Sequence, residues 1–259
     1  MTWTTRPRSK FGDLAAIDAG EGPLVVLLHG VGLRAEAWGG QIEALVAAGY
    51  RVVCPDMLGH GESAFAEPNR VESYVAPITS LLQEPAVLIG HSMGALIAAH
   101  IAASGNRYVK GVAALNAIYK RSDAARQSVL SRAQALDAQR SNDASVTLHR
   151  WFADDISAER DACAQWLEAV NPRAYKAAYT VFAESDGPTE KQLAKITCPA
   201  MFLTGADEPN STPAMSQQMA SLAPKGRAEF IPDAAHMMPM THAAEVNATL
   251  LPFVQECLT

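Results

Sequence analysis

The sequence predicts an α/β protein with a mostly parallel central sheet, helices on both faces, and a helical segment inserted before the last two strands. Three observations carry this. Short apolar runs alternate with helical patterns along most of the 259 residues. Between Asn116 and Ile196 that alternation stops, and alanine-rich helical sequence without a convincing strand takes over. The length suits one α/β domain with an inserted subdomain. The boundaries expected are residues 1-116 and 196-259 for the core and 117-195 for a helical cap.

The elements follow in order. Leu24-Val25-Val26-Leu27-Leu28 is a buried-strand run ending at His29-Gly30-Val31-Gly32. Helix is expected from Ala37 to Ala48, then a strand from Arg51 to Cys54 that stops at Pro55. Asp56 to Ser63 reads as a loop, and about Val71 to Leu82 as a helix. Ala86-Val87-Leu88-Ile89 is a strand, Gly90-His91-Ser92-Met93-Gly94 a tight turn, and Ala95-Leu96-Ile97-Ala98-Ala99 the start of a helix. Val109 to Leu115, Ala200 to Thr204 and Ala228 to Ile231 are further strands. A helix from about Ala243 to Cys257, interrupted near Pro252, closes the fold.

Composition narrows the setting. Hydrophobic residues make up 49% and charged residues 19%, an ordinary globular balance. The formal net charge of -6 gives no support for nucleic-acid or anionic-membrane binding, which need a basic surface. Met1 to Lys10 lacks the apolar stretch of a signal peptide, and no run reaches transmembrane length. Cys54, Cys163, Cys198 and Cys257 have neither metal-ligand nor redox spacing and read as reduced thiols in a cytoplasm. No glycine-rich phosphate or dinucleotide loop occurs, so neither metal nor organic cofactor is expected.

The turn around Ser92 bears the chemistry. A serine between a strand and a helix sits in a strained conformation that only small neighbours tolerate, hence a glycine two residues to either side. The amides that open the helix point at whatever the serine attacks. A serine hydroxyl needs a base, and His236, in a loop after the last strand, reaches the sheet edge where ligands bind in such folds. The other histidines are less suited by position. His91 adjoins the nucleophile, His100 and His149 fall in helices, His242 lies six residues beyond His236, and His29 and His60 lie in loops.

These motifs resemble the α/β-hydrolase superfamily, and the resemblance spans nearly the whole chain. Gly90 to Gly94 is similar to its G-x-S-x-G elbow and His29-Gly30-Val31-Gly32 to its oxyanion loop. Pro55 to Gly61 and Asp233-Ala234-Ala235-His236-Met237-Met238-Pro239 resemble its strand-4 and catalytic-histidine loops. Compact size, the cap and Ser211-Thr212-Pro213 look most like the branch holding 3-oxoadipate enol-lactonases, small carboxylesterases and serine-dependent C–C hydrolases. The resemblance implies the α/β-hydrolase fold and a catalytic triad of Ser92, His236 and an acid in the loop Gly205 to Asn210. The family position, three residues after the glycine, is Glu208. Aspartate is more usual there, and Asp207 stands one position early as the alternative acid. By motif position the oxyanion donors are the amides of Met93 and Val31.

The function expected is hydrolysis of a small carboxylic ester or lactone through an acyl-enzyme on Ser92. Alternatives are a C–C bond or amide hydrolase with the same residues, a cofactor-free perhydrolase, or a ligand-binding or signalling protein that retains the scaffold. Trp151, Phe152, Trp166, Tyr175, Tyr179 and Phe182 lie in the cap, with Trp151 and Trp166 as candidate substrate-binding residues. Arg34, Lys120, Arg121, Arg150 and Arg173 leave open a carboxylate-bearing substrate, or are solvated surface charges. The partner expected is a small acyl substrate, and the sequence does not distinguish monomer from homo-oligomer.

Overall fold

A computed structural model describes residues 3–140 and 143–259. Eight strands form one sheet: β1 (Ser9–Phe11), β2 (Leu14–Ala19), β3 (Leu24–Leu28), β4 (Arg51–Pro55), β5 (Ala86–His91), β6 (Val109–Leu115), β7 (Ala200–Gly205) and β8 (Gly226–Ile231). Their order is β1-β2-β4-β3-β5-β6-β7-β8, with β1 and β2 antiparallel to their neighbours and every other pair parallel. The six expected strands are all present. β1 and β2 were not expected, because Leu14-Ala15-Ala16-Ile17-Asp18-Ala19 is rich in alanine, a poor strand former. Pairing with the edge of β4 overrides that preference, with Ala16 opposite Pro55 and Ala19 opposite Val52.

Between strands run α1 (Gly39–Ala47), α2 (Val71–Leu81) and α3 (Met93–Ala103), with a single 3-10 turn, Ala35–Trp38, leading into α1. The helices between β6 and β7 are α4 (Asp123–Ala135), α5 (Ser145–Phe152), α6 (Ala158–Ala169), α7 (Pro172–Glu184) and α8 (Glu190–Leu193). After β7 come α9 (Pro213–Leu222), α10 (Met238–Thr241) and α11 (Ala243–Leu258). The expected break near Pro252 does not occur. Pro252 is exposed, so the Ala248 carbonyl that loses its helical partner faces water, while Val246, Leu250, Phe253 and Val254 hold the opposite face in the core.

The strand period of two sorts the core into two layers. Val25, Leu27, Val87, Ile89, Ala113 and Leu115 face Trp38, Ile42 and Leu45 ahead of and along α1, and Leu250 and Phe253 of α11. Leu24, Val26, Leu28, Leu88, Val112 and Ala114 face the other way, toward Ile97 and Ile101 of α3. Each fully buried Val, Leu, Ile or Phe among them contributes about 1.5–3 kcal/mol. The chain passes from β3 out to β4 and back across to β5, so strand order reverses between β3 and β5. The crevice at their carboxyl ends is therefore where a ligand finds an opening in a sheet of this kind. Ser92 and the loop His29–Gly32 both leave the sheet there.

Candidate active site

Ser92 is the single residue between β5 and α3, and its backbone lies at φ 56°, ψ −115°, where side chains other than glycine are strained. Neighbouring backbone holds it there. The Ser92 amide donates to the Leu115 carbonyl at 2.9 Å, and the Ser92 carbonyl accepts from Ala95 at 3.0 Å. The flanking glycines are steric requirements, since a Cβ on Gly90 would overlap the Gly94 carbonyl, and one on Gly94 the Leu28 carbonyl.

His236 follows β8 and shares a cavity with Ser92. Its Nδ1 lies 3.0 Å from Glu208 Oε2. The other carboxylate oxygen of Glu208 accepts from the amides of Asn210 at 2.8 Å and Ser211 at 3.3 Å. Burial works to raise this carboxyl, but His236 and the two amides outweigh it and hold the pKa down at about 2. With Nδ1–H donating to a carboxylate, Nε2 is left as the ring nitrogen with a free lone pair. Asp207 is exposed, and the turn closed by the Glu208 amide on the Gly205 carbonyl directs Glu208 inward instead.

Of the two residues singled out by motif, Met93 directly follows Ser92 and Val31 lines the same cavity. Met93 is the first residue of α3, so its N–H has no partner within the helix. Among the described residues the Val31 N–H has none either. Three buried histidines brace this region from behind. His29 Nε2 accepts from the Met57 amide at 2.9 Å, with its Nδ1 2.8 Å from the Gly30 carbonyl. His60 Nε2 accepts from Gly32 N at 3.0 Å, with its Nδ1 3.1 Å from the Leu58 carbonyl, and His91 Nε2 lies 2.7 Å from the His236 carbonyl. Each ring donates one bond and keeps one acceptor, which fits the neutral form. Burial lowers all three pKa values, to about 3 for His60 and His91.

Two braces escaped sequence reasoning. Asn116, at φ 48° just after β6, donates through Nδ2 to the His236 carbonyl at 2.8 Å and accepts at Oδ1 from the Gly205 amide at 3.1 Å. It thereby ties the histidine loop to the acid strand. Behind the loop after β3, Arg8 reaches Glu36 at 2.7 Å and Asp56 at 2.9 Å, all three side chains nearly fully buried. Asp56 in turn accepts from Ala35 N at 2.8 Å. Burial opposes the Glu36 charge, yet Arg8, the Arg6 amide and Arg34 hold its pKa down to about 2. The acidic partner of a lone N-terminal arginine leaves no spacing signature, but an Asx position after a strand, as at Asp56, does hint at a loop anchor.

The cavity holds about 320 Å³. Its sheet-edge wall includes Gly30, Val31, Ser92, Asn116 and His236, and its other wall comes from α4, α5, α7 and the loop before α9. Trp151 lines it, stacked on the His236 ring with centres 5.6 Å apart. Tyr175, Tyr179 and Phe182 line it as well, whereas Phe152 is buried in the core. Trp166 does not line it. On α6 Ala162, Cys163 and Leu167 turn inward, and Trp166, one residue round the helix, packs edge-on against Trp3 at 6.3 Å. Close contact seats the helical wall on the loop after β3: Gly32, at φ 77°, abuts Leu167 and Tyr175, and a Cβ there would lie 2.5 Å from Leu167.

Of the basic residues considered, Arg121 and Arg150 face the cavity, joined by Arg132. Arg34 instead binds Glu36 at 2.7 Å, and Lys120 and Arg173 form exposed pairs with Glu190 and Glu67. Arg132 was legible in principle. Ala125, Ser128, Val129 and Arg132 follow the i, i+3, i+4, i+7 pattern of one helix face, and all four line the cavity.

Comparison with known proteins agrees with this architecture. Residues 25–249 match the model of the alpha/beta hydrolase family. The (E)-2-((N-methylformamido)methylene)succinate hydrolase of Acinetobacter baylyi is 41% identical over 242 residues, covering 90% of each chain. A thermophilic esterase from Thermogutta terrifontis superposes with a TM-score of 0.84 at 26% identity, over 95% of this chain and 94% of its own. The enol-lactonase of Burkholderia xenovorans shares the fold, with a TM-score of 0.81 at 21% identity, over 96% of this chain and 100% of its own. With the family model spanning most of its length, the chain belongs to the alpha/beta hydrolase family.

Proposed function

We propose that the protein is a serine hydrolase that cleaves a small carboxylic ester or lactone through an acyl-enzyme on Ser92. The observation that carries this is the His236–Glu208 pair, at 3.0 Å, in the same cavity as a serine held at positive φ. Ser92 Oγ attacks the carbonyl carbon while His236 Nε2 takes its proton, and Glu208 stabilises the imidazolium. The Val31 and Met93 amides receive the oxyanion, each contributing on the order of 3 kcal/mol to the transition state. His236 then protonates the leaving group, and water repeats the sequence on the acyl-enzyme. In this reading residues 117-195 are a cap that selects the acyl group.

A second reading, cleavage of an acyl–nitrogen bond by the same residues, has one observation in its favour. The Acinetobacter relative is named for a substrate bearing an N-methylformamido group. A fluorophosphonate probe tests the common core: it is expected to label Ser92 in folded protein and to abolish turnover, and an unlabelled Ser92 would sink both readings. A panel of p-nitrophenyl esters, lactones, β-diketones and N-acyl enamides then ranks the bonds cleaved.

A further inference from the structure

The wall of the cavity built from α4, α5 and α7 carries positive charge that nothing on that wall neutralises. Arg121, Arg132 and Arg150 line the cavity, and among its described lining residues there is no aspartate or glutamate. Arg121 is accounted for from outside. It bonds the Ser185 carbonyl at 2.5 Å and Asp186 at 3.3 Å, and it lies over the Phe182 ring.

Arg132 and Arg150 differ from every other buried or half-buried arginine described above, since neither meets a carboxylate. Both donate to one neutral acceptor, the Tyr179 hydroxyl, at 3.1 Å and 3.3 Å. Their remaining bonds go to Ser128 Oγ at 2.8 Å and Thr147 Oγ1 at 3.2 Å, also neutral. Arg150 Nε is buried and finds no partner among the described residues. Burial would raise the Tyr179 phenol, yet the two guanidinium groups draw it below its ordinary value. Converging two cations on one hydroxyl costs energy through mutual repulsion, and an anion placed between them would remove that cost. Contrast Arg8, whose fork is filled by Glu36 and Asp56.

We propose that Arg132 and Arg150, ordered by Tyr179, are the receptor for a free carboxylate on the acyl chain of the substrate. A guanidinium fork matches the two coplanar oxygens of a carboxylate, and a partly desolvated pair of forks binds it with high directionality. The same cavity is also lined by Ile118, Val129, Phe182 and Met215, apolar side chains that suit a short carbon spacer. The cavity volume equals that of about ten water molecules. The substrate class is therefore a half-ester, lactone or amide of a short dicarboxylic acid. This assignment rests on the serine-hydrolase reading for the bond cleaved, but not for the anion bound.

The test compares monomethyl succinate and monomethyl glutarate with methyl esters in which an isopropyl group replaces the carboxylate. In the wild type kcat/KM is expected to favour the acid esters by about 100-fold, the worth of charge-assisted hydrogen bonds. Arg132→Gln and Arg150→Gln should each lower that preference about tenfold or more. Because the ratio is taken within each variant, a partly inactive preparation cancels. Arg126→Gln, which removes an exposed cation outside the cavity, should leave the ratio unchanged. A wild-type preference of one or less, or a preference that survives in both arginine variants, overturns the proposal. Calorimetric titration of glutarate into Ser92→Ala protein reads the receptor without turnover. Binding there that is lost in the Arg132→Gln/Arg150→Gln background upholds the receptor even if no ester is cleaved. Ester cleavage with neither glutarate binding nor acid preference rejects the receptor while leaving the hydrolase reading intact.

Discussion

The two walls of the cavity are built on opposite principles. On and behind the sheet-edge wall, buried polar side chains bond mainly to main-chain atoms: His29, His60, His91 and Asn116 each hold a carbonyl or amide of a neighbouring loop. Burial holds His29, His60 and His91 below the ordinary histidine range, and the carboxylate charge lies at Glu208 and, behind the loop, in the Arg8–Glu36–Asp56 cluster. On the helical wall Arg132 and Arg150 bond only to side chains, and these two cations face the cavity without a carboxylate. On the proposed function, the difference separates two demands. Positioning a nucleophile needs fixed backbone, whereas recognising a substrate needs side-chain charge left unspent.

The sharpest way to break this comparison is through the acid. Glu208→Gln should lower kcat about 10³–10⁴-fold, because the amide cannot stabilise the imidazolium, while Asp207→Asn stays within about threefold. Steady-state turnover decides, and the reverse result would move the acid to Asp207. Next in size, Gly94→Ala places a methyl group against the Leu28 carbonyl and should cost about 3 kcal/mol or more. For a chain of this length that lowers Tm by roughly 6–12 °C, readable by calorimetry.

The neutral histidines predict a pH dependence. Because the folded pKa of His60 is lowered to about 3, the unfolded chain binds the extra proton first as pH falls below about 6.5. Stability attributable to His60 is thus complete above that value and is lost toward pH 3, by about 1.4 kcal/mol per unit. Glu208 and Glu36 add a loss of the same sign, but only below the ordinary carboxylate range. Between pH 6 and 5 the denaturant midpoint of His60→Gln should therefore fall less steeply than that of the wild type, and equal slopes would mean His60 is not neutral in the fold. The smallest effect belongs to the helical wall's contact with His236, the proposed base. Trp151→Ala removes a ring stacked on His236 and should reduce kcat about 2- to 10-fold, with little change in Tm.

Legibility divides along the same line as the walls. The strands β3 through β7 were readable because burial on both faces demands nearly unbroken apolar runs, whereas the edge strand β8 was readable only over Ala228 to Ile231, and β2 was not, because pairing with β4 overrode an alanine-rich sequence. Pro252 misled for a related reason: a local penalty on an exposed face was outweighed by Leu250, Phe253 and Val254 in the core. Trp151 and Trp166 are alike in composition and context, yet only one reaches the cavity. A shift of one residue turns a helical side chain through about 100°, and only helix packing sets which way the wall faces.

By itself, then, the sequence determined the order of strands β3 to β8 and the small residues around Ser92, since backbone close to backbone tolerates nothing larger. It also marked out His236 and the loop with Glu208 and Asp207 at the ends of strands. The tertiary structure decided which of those two carboxylates turns inward, that Asn116 and Arg8 brace the loops, and that Arg132 joins Arg150 at Tyr179. The contacts of Asn116, Arg8 and the two arginines use side chains to join parts of the chain that are remote in sequence, and no local spacing rule encodes such a meeting.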